Sequence, residues 1–114
     1  MRRLILTAAV LAAFAAGHAS AASFDCRKAA TPDEKTICNY RTLDNYDVQM
    51  AVLYNVDAKL MMMGARGDMQ DDQRAWLADR HKCNDNVQCL IRSYQTRIYQ
   101  LQTAFNSIAS RGPF

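Results

Sequence analysis

HKCNDNVQC, from His81 to Cys89, sets two cysteines six residues apart around Asn-Asp-Asn. In one continuous helix such residues are separated by about 9 Å along the axis. A disulfide holds its Cα atoms roughly 4.4 to 6.8 Å apart. A bridge between Cys83 and Cys89 therefore requires the chain to leave one helix and enter another. Asn84, Asp85 and Asn86 are residue types that accept hydrogen bonds from the free N–H groups at a helix start, so the spacing predicts one helix ending near Lys82 and the next beginning near Asn86. A zinc site needs ligand spacings such as C-x-x-C and further histidines, but His81 is the only histidine beyond residue 21. The C-x-x-C arrangement that activates a redox thiolate is also missing. The stretch reads as a staple between two helices.

Helical signals extend in both directions. Downstream, Val87, Ile91, Tyr94, Ile98, Leu101, Phe105 and Ile108 alternate at spacings of three and four, the pattern of one apolar helix face. Upstream, Met69, Gln73, Trp76 and Leu77 share a face of a helix that Asp68 is placed to cap. From Arg41 to Met63 the apolar series Leu43, Tyr46, Met50, Leu53, Val56 and Leu60 predicts a long amphipathic helix stopped by Gly64. TPDE, Thr31 to Glu34, is a capping box with Pro32 at the first helical position, which predicts a short helix to about Cys38. The expected fold class is all-α: a small antiparallel bundle of three main helices plus a short N-terminal helix, stapled by two disulfides.

The first 21 residues, MRRLILTAAVLAAFAAGHASA, read as a secretion signal. Two arginines precede an apolar run, and small residues close it at Ala19-Ser20-Ala21. The run is shorter than the roughly 20 residues needed to span a bilayer. We expect a signal peptide at 1–21, a helical domain at 22–110 and a C-terminal tail at 111–114. Two of the 14 Lys and Arg and none of the 11 acids fall in the signal, leaving 12 bases against 11 acids. So balanced a chain has no electrostatic footprint for nucleic acid and no basic face for a membrane. About 93 residues remain, a size with a modest core at which exported chains often add disulfides. All four cysteines lie in that part, which favours disulfides in a periplasmic or secreted protein. Four cysteines allow three pairings and the sequence leaves all three open; the local one, Cys26 with Cys38 and Cys83 with Cys89, is favoured.

The run FDCRKAATPDEKTIC (Phe24 to Cys38), then Leu43, Asp47 and Tyr54, then QRAWLADRHKC (Gln73 to Cys83), Cys89-Leu90, and YQTRI (Tyr94 to Ile98) with Leu101 resembles the LprI-like lysozyme-inhibitor family of bacterial envelope proteins. The likeness extends from Phe24 to about Leu101. It implies a helical, disulfide-bonded domain and a protein partner, c-type lysozyme. Tyr46 and His81 stand where that family usually carries Leu and Asp.

Asp47, Arg80 and Arg97 match the family's charged positions and read as an interhelical ion-pair set. Trp76, the only tryptophan, reads as a core residue with partner contact as its second role. Met61, Met62 and Met63 read as space filling at a helix end, in preference to a copper site. Arg66-Gly67-Asp68 reads as a turn. With Glu34 the only glutamate and no nucleophile paired with a base, the sequence argues against an enzyme, and no metal or cofactor is expected. Two functions fit: an inhibitor of lysozyme, and a structural or scaffolding interaction module of the envelope. Lysozyme acts through two carboxylates in a cleft. The inhibitor reading therefore nominates Gly64-Ala65-Arg66-Gly67 as a hairpin tip whose Arg66 reaches those carboxylates, with Trp76 and Arg80 as further contacts.

Overall fold

The computed structural model describes residues 23–112. The expected signal peptide and Pro113 lie outside the described residues. A 3-10 turn at Cys26–Lys28 leads into four helices: α1 (Pro32–Asn39), α2 (Arg41–Leu60), α3 (Met63–His81) and α4 (Val87–Ala109). The architecture is a small all-α bundle with two disulfides and no strands among the described residues. Residue pairs set the directions. Met50 meets Gln73 and Ala58 meets Arg66, so α2 and α3 run antiparallel. Trp76 meets Ser93 and Gln73 meets Arg97, so α3 and α4 do too. Helices α2 and α4 therefore run parallel, with Asp47 opposite Tyr94. No helix among the described residues is long and apolar enough to cross a membrane.

The sequence chemistry accounts for most boundaries. Pro32 begins α1 with its missing N–H in the turn that needs none. Glu34 Oε2 accepts from the backbone N–H groups of Ala30 (2.9 Å) and Thr31 (3.4 Å), which closes the start of that helix. Asn86 caps α4 by accepting from the Cys89 N–H at 2.9 Å. Asn84 takes the left-handed conformation (φ 51°) that asparagine tolerates well, and turns the chain between the two helices. Cys83 and Cys89 are bonded across that turn with Cα atoms 5.5 Å apart, and Cys26 and Cys38 with Cα atoms 5.8 Å apart. Both staples lie at the same end of the bundle, where α1 packs on α2.

The α2–α3 connection departs from the sequence expectation. Helix α2 stops at Leu60, three residues early, and Gly64 does not stop it. Met61 and Met62 take extended conformations and form the turn by themselves. Gly64, Gly67 and Asp68 all lie inside α3, so Asp68 is not its cap and Arg66-Gly67-Asp68 is not a turn. The missing C-terminal cap is supplied from α3. Arg66 Nε donates to Ala58 O at 2.6 Å and Nη2 to Met61 O at 3.0 Å, satisfying carbonyls that the end of α2 leaves open.

The core comprises Ile37, Leu43, Met50, Met69, Cys83, Leu90, Tyr94 and Leu101, with Tyr46, Leu53, Trp76, Val87, Ile91 and Ile98 packed against it. On α2 the buried row runs Leu43, Met50, Asp57 at intervals of seven, which turns Val56 and Leu60 outward although the apolar series placed them inside. Leu77 on α3 is likewise exposed. On α4, Leu90 and Arg97 are buried beside Tyr94, Leu101 and Ile108, while Val87, Ile91, Ile98 and Phe105 flank that row half-buried.

Candidate functional site

A polar cluster sits inside the stapled end. Arg80 enters from α3 with 7 % of its surface exposed. Its Nε donates to Asp33 Oδ2 of α1 at 3.1 Å, and Nη1 donates to the Tyr94 hydroxyl of α4 at 3.3 Å. The same Nη1 lies 3.9 Å from Asp47 Oδ1 of α2. Tyr94 passes the connection on, donating to Asp47 Oδ1 at 2.8 Å. The other Asp47 oxygen accepts from the Ser23 N–H at 2.6 Å, and His81 Nδ1 lies 3.0 Å from Asp33 Oδ1. The guanidinium also lies within cation–π reach of two rings, 6.0 Å from Phe24 and 5.7 Å from Trp76. One side chain thus ties the N-terminal segment and all four helices together.

The electrostatics follow from burial and pairing. Burial alone would raise the Asp33 carboxyl, but Thr31, then His81 and Arg80, outweigh it and hold the group below its ordinary value. Burial, then the neighbouring Asp47 charge, pushes the Tyr94 phenol far up, so it remains a neutral donor. Asp33 and Asp47 are both engaged by donors and sealed from solvent, which leaves neither as an open base. The cluster is a device for holding helices.

Arg97 does not join it. It stands one turn along α4, buried, where Nε donates to Gln73 Oε1 at 2.9 Å and Nη1 to Gln100 Oε1 at 3.2 Å. Gln73 Nε2 in turn approaches Met50 Sδ at 3.1 Å. Burial lowers the Arg97 pKa, and its Nη2 has no hydrogen-bond partner. The expected set of Asp47, Arg80 and Arg97 therefore divides into two layers. The sequence reading passed over Asp33, the nearest acid to Arg80, and Asp57, a fully buried carboxyl with no partner for either oxygen. Asp33 carried only the local signal of a residue in the first turn of α1, 47 positions from Arg80.

Of the three expected partner contacts, Arg80 is interior. Arg66 is half-buried and holds the end of α2. Trp76 is half-buried, donates Nε1–H to Ser93 O at 3.2 Å and meets Tyr94 edge-on with centroids 5.2 Å apart. The exposed apolar surface lies elsewhere. Val52, Val56 and Leu60 stand four residues apart on the outer face of α2, with Val52 57 % exposed. They lead to Met62 and Met63, 85 % and 86 % exposed, at the α2–α3 turn. Together they form an apolar ridge ending in two flexible thioether side chains. Among the described residues no three His, Cys, Asp or Glu side chains group to hold a metal.

Comparison with protein families gives a match to the model of the lysozyme inhibitor LprI over residues 26–101, from the first cysteine to the middle of α4. No curated protein and no solved structure matches the chain.

Proposed function

Because the chain belongs to the LprI lysozyme-inhibitor family, we propose that it is an exported protein that binds a c-type lysozyme in the bacterial envelope and blocks its cleft. The family match covers nearly all of the described helical body, and two disulfides suit an oxidising compartment. The observation that carries the contact surface is the apolar ridge of Val52, Val56 and Leu60 running into Met62 and Met63. Unbranched methionines adapt to the surface they meet. A tip of this kind entering the cleft excludes saccharide from the two carboxylates that cleave it. Arg66 acts here from behind the tip: by holding the carbonyls of Ala58 and Met61 it fixes the turn that presents Met62 and Met63.

Cell-wall lysis by lysozyme tests this reading. The oxidised protein should slow lysis, and Met62→Asp with Met63→Asp should weaken that inhibition at least tenfold with helix content unchanged, since both residues are open to solvent. The reduced, unfolded protein serves as the inactive control. No effect of wild type in large molar excess over several lysozymes would remove lysozyme as the partner. The same ridge also favours a second reading, a scaffolding module of the envelope, because it spans about 12 Å of α2 in addition to the tip. In that case a pull-down from envelope extract should yield a different protein, released by the same two substitutions.

A further inference from the structure

Helices α3 and α4 line an open groove of about 900 Å³. Its floor includes Met69, Trp76 and Leu101. The α3 wall carries Asp68, Asp72 and Asp79, at positions i, i+4 and i+11. Asp79 is paired with Lys82 at 2.8 Å, but Asp68 and Asp72 are exposed and have no ion-pair partner among the described residues. The α4 wall carries Arg92, also without an ion pair among the described residues, and Arg97, whose buried Nη2 lacks an acceptor.

We propose that this groove seats a basic amphipathic helix of a partner protein, as a fourth long helix in the bundle. Both walls are helices whose backbone groups are already paired internally. An extended peptide lying between them would find no partners for its own N–H and C=O groups, whereas a helix brings its own. The acids fix its character. From Asp68 to Asp79 is about 16 Å along α3, so the guest presents lysines or arginines along roughly three turns of one edge. Its apolar face covers Met69, Trp76 and Leu101. Its opposite edge supplies an acceptor to Arg92, which is exposed. The site stands on its own observations, whatever protein the Met62–Met63 tip meets.

Trp76 is the only tryptophan and lines the groove, so its emission reports occupancy directly. The probe is a synthetic tryptophan-free helical peptide of 16 residues with leucines on one face, lysines along one edge and glutamates along the other. Added to the full oxidised protein, it should shift Trp76 emission to saturation. Asp68→Asn with Asp72→Asn should raise Kd at least tenfold, and Ala75→Gln, which narrows the groove from an exposed position, should weaken binding with the wall charges intact. A scrambled peptide of the same composition should leave Trp76 unchanged. Thermal unfolding of both variants should match wild type, because the substituted residues are exposed. The proposal is overturned if the amphipathic peptide leaves Trp76 emission unmoved, if the scrambled peptide binds as well, or if the two asparagines leave Kd where it was.

Discussion

Replacing Asp57 with leucine should stabilise this protein at neutral pH. Asp57 lies on the buried row of α2, fully shielded from solvent, with both carboxylate oxygens unpartnered. Burial raises its pKa above the ordinary 3.8, and the Arg97 charge offsets that only in part. A buried polar group without a hydrogen bond costs about 1–3 kcal/mol, and more when charged. Leucine has the same branching at Cγ, buries apolar surface and removes that cost, but it also takes a neighbouring anion from buried Arg97, so the net gain at pH 7 should be about 1 kcal/mol. For a domain of this size each 1 kcal/mol raises Tm by about 4–8 °C. The pH dependence identifies the cause. Well below the ordinary carboxylate value the group is protonated in both folded and unfolded chains and carries no charge penalty. As pH rises, the unfolded chain ionises first, and wild type loses stability relative to the leucine variant until the raised folded value is passed. Urea unfolding followed by circular dichroism at pH 3.5 and pH 7 should therefore show a larger advantage for Asp57→Leu at pH 7. A leucine variant less stable than wild type at pH 7, or an advantage equal at both pH values, would refute the reasoning.

Arg80→Met should cost about 3–5 kcal/mol, because it leaves Asp33 and Asp47 buried without their cation; a loss under about 1 kcal/mol in urea titration would show that the cluster does not hold the helices. By loop entropy, removing the Cys83–Cys89 bridge should cost about 2 kcal/mol and the Cys26–Cys38 bridge about 3, measured on serine pairs; unreduced peptide mapping should return only these two links. Arg66→Ala should cost about 1–2 kcal/mol and speed amide exchange in the last turn of α2, while unchanged exchange there would mean that the carbonyls of Ala58 and Met61 do not need their cap.

The helices and their staples were legible because their signals are local. Six residues between cysteines, Asn at the start of α4 and Pro at the start of α1 each constrain the backbone within a turn or two. The α2–α3 connection was not legible, because its determinant spans eight residues from Arg66 to Ala58, while Gly64 and Gly67, the conspicuous local signals, adopt ordinary helical conformations. The core seam was only half legible. Counting apolar residues finds Leu43, Met50, Tyr94 and Leu101, but it skips Asp47, Asp57 and Arg97, which occupy buried positions on the same seam. Asp47, Arg80 and Arg97 could be singled out through the family likeness. Their separation into two layers depends on Asp33 and Gln73 as partners, and no spacing rule links residues so far apart in the chain.

The two disulfides and the Arg80 cluster all fasten the same end of the bundle, and this makes the protein a lever. Helix α2 is about 30 Å long. A tilt of about 5° at the clamped end, within what packed helices tolerate, carries the far turn through roughly 2.6 Å. Met62 and Met63 stand exposed at the far end, where the Arg66 hydrogen bonds, and neither disulfide, hold the turn. If the proposed contact is made there, its depth and angle can shift with that tilt while the clamped end stays fixed.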